Sequence, residues 1–245
     1  MDLAVSLIGL GVGVCFGMFG AGGSAFATPL LALAGVHGVA AVVSPLPATV
    51  PAAVVGAWAY VRSGELDWNT ARRAVVGGAP GTIVGALASR AIGGTWLLVL
   101  SGLVLVVVGV QLAGRASGAL SRRAQPLPRR TLIALSAGVG FLAGLLANGG
   151  GFLLVPLFVF AVGLGMRRAA GTSLVTAALL TLPTLATHWA LGDIDWAVAI
   201  AFAFGLIPGA AVGGRVAQHL QGPAVQRAFG GLLVVFAVAF LAKQL

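Results

Sequence analysis

Apolar residues fill ten stretches of the chain: 3 to 19, 22 to 36, 39 to 61, 70 to 92 and 95 to 113, then 131 to 147, 150 to 164, 168 to 191, 195 to 218 and 224 to 243. Turn residues and charges fall between them. Charge-free runs cover Leu3 to Val61, Ala91 to Gly114, Thr131 to Met166 and Ala169 to Gly192. Each holds at least one window of about 20 residues, the length that crosses a bilayer core. The pattern predicts an all-α polytopic membrane protein. The first two segments of each half are short, about 25 Å of helix or less at 1.5 Å per residue. They read either as short spans or as a re-entrant hairpin, so the count is about eight to ten membrane segments.

The segments are duplicated. "GVGVCFGMFGAGGSAFATP" (Gly11 to Pro29) lies over "GVGFLAGLLANGGGFLLVP" (Gly138 to Pro156), shifted by 127 positions (138 against 11). "GELDW" (Gly64 to Trp68) lies over "GDIDW" (Gly192 to Trp196), and "PGTIVGA" (Pro80 to Ala86) over "PGAAVGG" (Pro208 to Gly214), now shifted by 128 (192 against 64). Residues 1–113 therefore form a first membrane repeat, 114–130 an Arg/Pro-rich linker and 131–245 a second repeat.

Composition removes other classes. At 59% hydrophobic and 8% charged residues, the chain is far from soluble domains, which run at roughly 45–50% and 25%. Its net charge of +9 is almost all arginine at segment ends, so it orients the chain in a membrane rather than marking a nucleic-acid partner. Asp2, not a basic stretch, precedes the first apolar run, which is expected of a retained helix and not of a cleaved leader. The single cysteine, Cys15, has no partner for a disulfide and reads as a small buried apolar residue.

The arginines set direction, because cytoplasmic loops collect Lys and Arg. If each short pair goes in and comes back, the linker arginines join Arg62, Arg72, Arg73, Arg167, Arg168, Arg215 and Arg227 on the cytoplasmic side, and only Arg90 and Lys243 face out. If each pair crosses once, Arg90, Arg167, Arg168, Arg215 and Arg227 all fall outside. The first arrangement obeys the rule better. It makes the two halves inverted repeats, with interrupted glycine segments at matching places, a pattern of secondary transporters whose site lies at the midplane.

Candidate chemistry gathers at those interruptions. At Gly22 and Gly23, and at Asn148, Gly149, Gly150 and Gly151, an absent side chain exposes backbone N–H groups ahead of a helix start, a small positive nest suited to an anion. Pro29 and Pro156 should keep the following segments short or kinked. Ser44 and the Gly171–Thr172–Ser173 stretch offer hydroxyls, which on membrane helices often bond only their own backbone. His188 is the histidine placed to carry a proton, although a lone histidine at a segment end is more often just hydrogen-bonded. None of the acids Asp2, Glu65, Asp67, Asp193 and Asp195 sits mid-segment. The two acid–Trp turns read as interfacial caps. Scattered glycines such as Gly9, Gly13, Gly102 and Gly109 read as close helix packing. No catalytic, ATP-binding or metal-binding motif is present, so no catalytic residue, cofactor or metal is expected.

The doubled "GLGVGVCFGMFGAGGSAFATPLL" and "GVGFLAGLLANGGGFLLVPLF", with "RRAAGTSL" and "GLIPGAAVGGRVA", resemble the sulfite exporter TauE/SafE family over essentially the whole chain outside the linker. The resemblance implies a permease of the bacterial plasma membrane for small anions such as sulfite, sulfonates or sulfoacetate, and rocking of the inverted repeats would alternate its access. It places substrate contacts on Gly22, Gly23, Asn148, Gly149, Gly150, Gly151, Thr172 and Ser173. The first half departs from the motif at Ser24, where the second has Gly151, and at Ser44 and Pro45, where it has Thr172 and Ser173. From residues alone, a carrier or channel for another solute and a non-transporting scaffold remain open. The expected surroundings are a small anionic substrate and the lipid bilayer, with oligomeric state undetermined.

Overall fold

The computed structural model describes residues 2–36, 38–92, 128–146, 151–220 and 222–244, with isolated positions between 96 and 110. Among these, every regular element is helical. In order they are α1 (Asp2–Phe19), a 3-10 helix (Gly20–Phe26), α2 (Ala27–Leu33), α3 (Val39–Val43), α4 (Leu46–Arg62), α5 (Trp68–Ile92), α6 (Arg129–Leu145), α7 (Gly151–Pro156) continuing as a π-helix (Leu157–Val162), α8 (Met166–Leu191), α9 (Trp196–His219) and α10 (Gly222–Gln244). The apolar runs thus become helices within a few residues of their expected ends. Most of the run 95 to 113, the linker from 114 to 127 and residues 147–150 lie outside the described residues.

Val39–Arg62, Met166–Leu191 and Trp196–His219 are long and apolar enough to cross a membrane. Leu3, Val76 and Phe204 are 60% to 76% exposed, which water would penalise and acyl chains do not. Trp58, Trp68, Trp189 and Trp196 are exposed near helix ends, where indoles sit at headgroup level.

Local chemistry explains the ends. At both acid–Trp turns a left-handed glycine, Gly64 (φ +72°) or Gly192 (φ +73°), closes the helix. The next residue donates back, Glu65 N–H to the Tyr60 carbonyl at 2.9 Å and Asp193 N–H to that of His188 at 3.1 Å, which satisfies carbonyls that would otherwise be orphaned. Two residues on, Asp195 Oδ1 accepts from Ala197 and Val198 N–H, and Asp67 Oδ1 from Thr70 N–H, so each acid caps the following helix as expected. Past Pro156 the helix widens to π over Leu157–Val162, a relaxation consistent with the ring displacing the α-helical carbonyl behind it.

The tightest packing joins one half to the other. On α1, Gly9, Gly13 and Gly17 lie against Phe202, Leu206 and Ala210 of α9, which answers with Gly205, Gly209 and Gly213. A Cβ on Gly13 would lie only 3.0 Å from Gly209 Cα, so the two backbones are in direct contact. The same arrangement recurs between α5 and α6: Gly77, Gly81 and Gly85 face Ile133, Ala137 and Phe141, while Gly140 and Gly144 face Gly78 and Thr82. Small residues four apart allow this approach, and dispersion between backbones stabilises it where lipid supplies no hydrophobic drive. Gly9 and Gly13 thus pack as expected.

The pairings also fix direction. Contacts climb together along α1 and α9, along α5 and α6, and along α4 and α9, where Gly56 meets Ala210 and Ala59 meets Gly214. Hence α1, α4 and α9 run one way. Helices α5 and α8, each joined to a member of that set by a short turn, run the other way with α6. Most basic residues gather at one end of the bundle, whereas Arg90 lies near the far end of α5. Arg62 and Arg215 line one groove, Arg72, Arg73 and Arg129 another, Arg168 approaches Asp67 at 4.0 Å, and Arg167 donates to the Gln218 and Leu220 carbonyls.

Packing of this kind is intolerant of volume at chosen sites only. Gly13→Val should destabilise the protein by roughly 2 kcal/mol or more. Gly11→Val, whose Cβ would meet nothing within 4 Å, should change stability by less than ~0.5 kcal/mol. Thermal unfolding in detergent, followed by the monodisperse fraction, checks the contrast.

Candidate functional site

The first glycine break begins where α1 stops. Gly20 takes φ +77°, which a β-carbon resists, and a Cβ there would lie 2.7 Å from Ala170 Cα on α8. The left-handed residue is Gly20, whereas Gly22 and Gly23 lie within the 3-10 helix that follows. This helix packs against both α7, which begins at Gly151, and α8. Ala21 N–H donates to Ser173 Oγ at 3.1 Å, and Ser173 Oγ donates to the Ala170 carbonyl at 2.8 Å. Part of each half's interruption therefore meets the other's.

Tyr60 supports the break from below. Its ring is fully buried, and its hydroxyl reaches the Gly17 and Met18 carbonyls at 2.9 and 3.0 Å, two acceptors that the end of α1 leaves without helical partners. Phe19 stacks on Phe229 of α10 at 4.9 Å. Beside the break, Ser24 and Thr49 line a narrow cavity with Val12, Phe16, Phe202 and Leu206, with room for roughly one water. Thr49 Oγ1 donates to the Pro45 carbonyl and Ser24 Oγ to that of Ala21.

The hydroxyls of the Gly-Thr-Ser stretch and of Ser44 do something that their spacing did not reveal. Thr172 Oγ1 accepts from Asp67 N–H at 3.0 Å, and Ser44 Oγ accepts from Asp195 N–H at 3.1 Å. Ser44 and Thr172 are repeat mates (172 against 44), as are Asp67 and Asp195 (195 against 67). Each half thus uses one buried hydroxyl to hold the acid–Trp turn of the other. Gly171 completes one clasp, because a Cβ there would lie 2.6 Å from the Glu65 carbonyl oxygen. The expected bonding of hydroxyls to their own helix also occurs: Thr176 donates to the Thr172 carbonyl at 2.8 Å.

His188 is 1% exposed. Its Nδ1 lies 3.0 Å from Asp193 Oδ2, while Nε2 is buried without a hydrogen-bond partner. It is the repeat mate of Tyr60 (188 against 60), so an imidazole held by a carboxylate stands where the other half has a phenol. Of the other expected contacts, Gly151 heads α7, and Asn148, Gly149 and Gly150 lie outside the described residues. No group of three His, Cys, Asp or Glu side chains is arranged for a metal among the described residues. Tyr60 was missed from sequence, although the repeat alignment sets it opposite His188.

The chain matches the family model "Sulfite exporter TauE/SafE" over residues 5–240. It is 32% identical over 240 residues to a "Probable membrane transporter protein" of Xylella fastidiosa (strain 9a5c), covering 93% of this chain and 89% of that protein. Two proteins of Bacillus subtilis (strain 168) are also similar: "Probable membrane transporter protein YjnA" at 24% identity over 96% of this chain and 98% of that one, and "Probable membrane transporter protein YunE" at 25% over 66% and 64%. No solved structure matches significantly.

Removing a clasp leaves a turn N–H without its acceptor. Ser44→Ala and Thr172→Val should each lower stability by about 1–2 kcal/mol. The two turns lie at opposite ends of the bundle, so the losses should add in the double variant. Thermal melts of the three purified variants read this out.

Proposed function

Because the chain belongs to the sulfite exporter TauE/SafE family, we propose that this multi-pass membrane protein is a secondary transporter of a small anion, sulfite or an organosulfonate, in the bacterial plasma membrane. The observation that carries the reading is the meeting of the first broken segment, Gly20–Phe26, with α7 and Ser173 of the other half. A site shared by two interrupted segments lets one half move against the other and open the site to alternate sides. The substrate contacts in this reading are Gly22, Gly23, Asn148, Gly149, Gly150, Gly151, Thr172 and Ser173, with Ser44, which holds the turn at the opposite end of the bundle, on the substrate path rather than in the same site. Backbone N–H groups and helix N-termini would meet the anion's charge.

Residues 1–113 and 131–245 then form inverted repeats about a cytoplasmic linker at 114–130. Opposite directions of α1 and its repeat mate α6 support this, as does the gathering of arginines at one end. Ser44 and Thr172, clasping the turns in the observed state, would tie substrate occupancy to the contact between halves. His188, with its buried free Nε2, is the proposed proton carrier.

Sulfite efflux from loaded proteoliposomes tests the function. Saturable flux above that of empty liposomes, accelerated by an imposed pH gradient, is expected; flux at the empty-liposome level for sulfite and for a panel of sulfonates would overturn it. His188→Asn should keep flux without the gradient but lose acceleration by it. An unaltered gradient response in that variant would remove His188 from the proton path.

A further inference from the structure

A groove outside the proposed substrate path is chemically incomplete. It lies between α4 and α9, encloses about 590 Å³, and is lined by Val54, Val55, Trp58, Ala211, Arg62 and Arg215, with Gln218 and His219 at the charged end. Its floor follows from the close approach of Gly56 and Ala59 to Gly214, which draws the helices together beneath flanking side chains. Toward the middle of the helices the walls are aliphatic, and Val54 and Trp58 are 60% and 57% exposed. The other end carries two guanidiniums. Arg62 stacks over Trp58, 5.2 Å from the ring centre, and neither arginine pairs with a carboxylate among the described residues. Gln218 Nε2, also at this end, is buried without an acceptor.

We propose that this groove binds an anionic phospholipid, its phosphate between Arg62 and Arg215 and one acyl chain along Val54, Val55, Trp58 and Ala211. Charge complementarity carries the choice, because two cations without a carboxylate partner line one end of an otherwise apolar channel. A free inorganic anion would use that end and leave the aliphatic walls unexplained. The end is also the one where the chain's arginines gather, hence the face toward the anionic cytoplasmic leaflet. The duplication provides an internal comparison. Arg62, Arg215 and Trp58 correspond to Ala190, Leu87 and Ala186, with Arg90 in the place of Gln218. The paired guanidiniums and the indole belong to one groove only, as a lipid drawn from one leaflet requires.

The test is native mass spectrometry of the delipidated full-length protein, titrated separately with phosphatidylglycerol and phosphatidylcholine of matched chains. Wild type should retain phosphatidylglycerol at least about tenfold better. Arg62→Gln with Arg215→Gln should abolish the preference. Ala211→Phe, which fills the groove and keeps both charges, should reduce retention of either lipid and guards against a charge variant that fails to fold. Equal retention of the two lipids by wild type, an unchanged preference in the double-arginine variant, or undiminished retention by Ala211→Phe would overturn the proposal. Displacement of phosphatidylglycerol by millimolar inorganic phosphate or sulfite would instead mark the groove as a vestibule for soluble anions and overturn it equally.

Discussion

Backbone-to-backbone contact between helices of different halves is the constraint on which the rest of this structure depends. Lipid tails solvate apolar side chains as well as protein does, so helices in a bilayer associate through close approach and dispersion rather than by escaping water. Here glycines four residues apart remove the side chains from both surfaces, on α1 against α9 and on α5 against α6. Both contacts join a helix from the first 92 residues to one beyond residue 128, so neither part of the chain packs fully without the other. The buried Tyr60 hydroxyl and the paired Ser44 and Thr172 clasps belong to the same packing, in which α4, α8 and the two acid–Trp turns are held in register.

The charges follow the same frame. Parallel packing of α1, α4 and α9 against the opposite run of α5, α6 and α8 delivers Arg62, Arg129, Arg167 and Arg215 to a common end. Arg167 ties down the carbonyls at the end of α9, a favourable place for a cation at the negative end of a helix dipole. At the broken segment no buried arginine or lysine is seen among the described residues. Its polarity comes from N–H groups, carbonyls and small hydroxyls, groups that can exchange partners without the cost of stranding a full charge in a low dielectric.

Much of this was legible in the chain. Apolar run length located the helices, and Gly64, Asp67, Gly192 and Asp195 announced their own turns, because caps and turns are set by neighbours in sequence. What could not be read was partnership. Thr172 and Asp67 are separated by 105 residues and Ser44 and Asp195 by 151, and nothing local at Ser44 says that its hydroxyl holds a distant amide. Repeat alignment supplied the matching positions but not their exchange between halves. At the first break the sequence drew attention to Gly22 and Gly23, yet the residue forced into the left-handed region is Gly20, where α8 crosses too closely for any side chain. That crowding is tertiary, and only the folded chain displays it.

The cross-half pairing also sets an order of assembly. Ser6 on the first helix donates to the carbonyl of Ala201, 195 residues later in the chain, and the glycines beside it wait for the same late helix. During synthesis α1 is inserted long before α9 exists, and its glycine-lined face must be lodged against lipid or the insertion machinery until most of the protein has emerged. Assembly is therefore closed by its last segments rather than nucleated by its first, and a ribosome that stops before residue 196 leaves a chain whose opening helix has no counterpart.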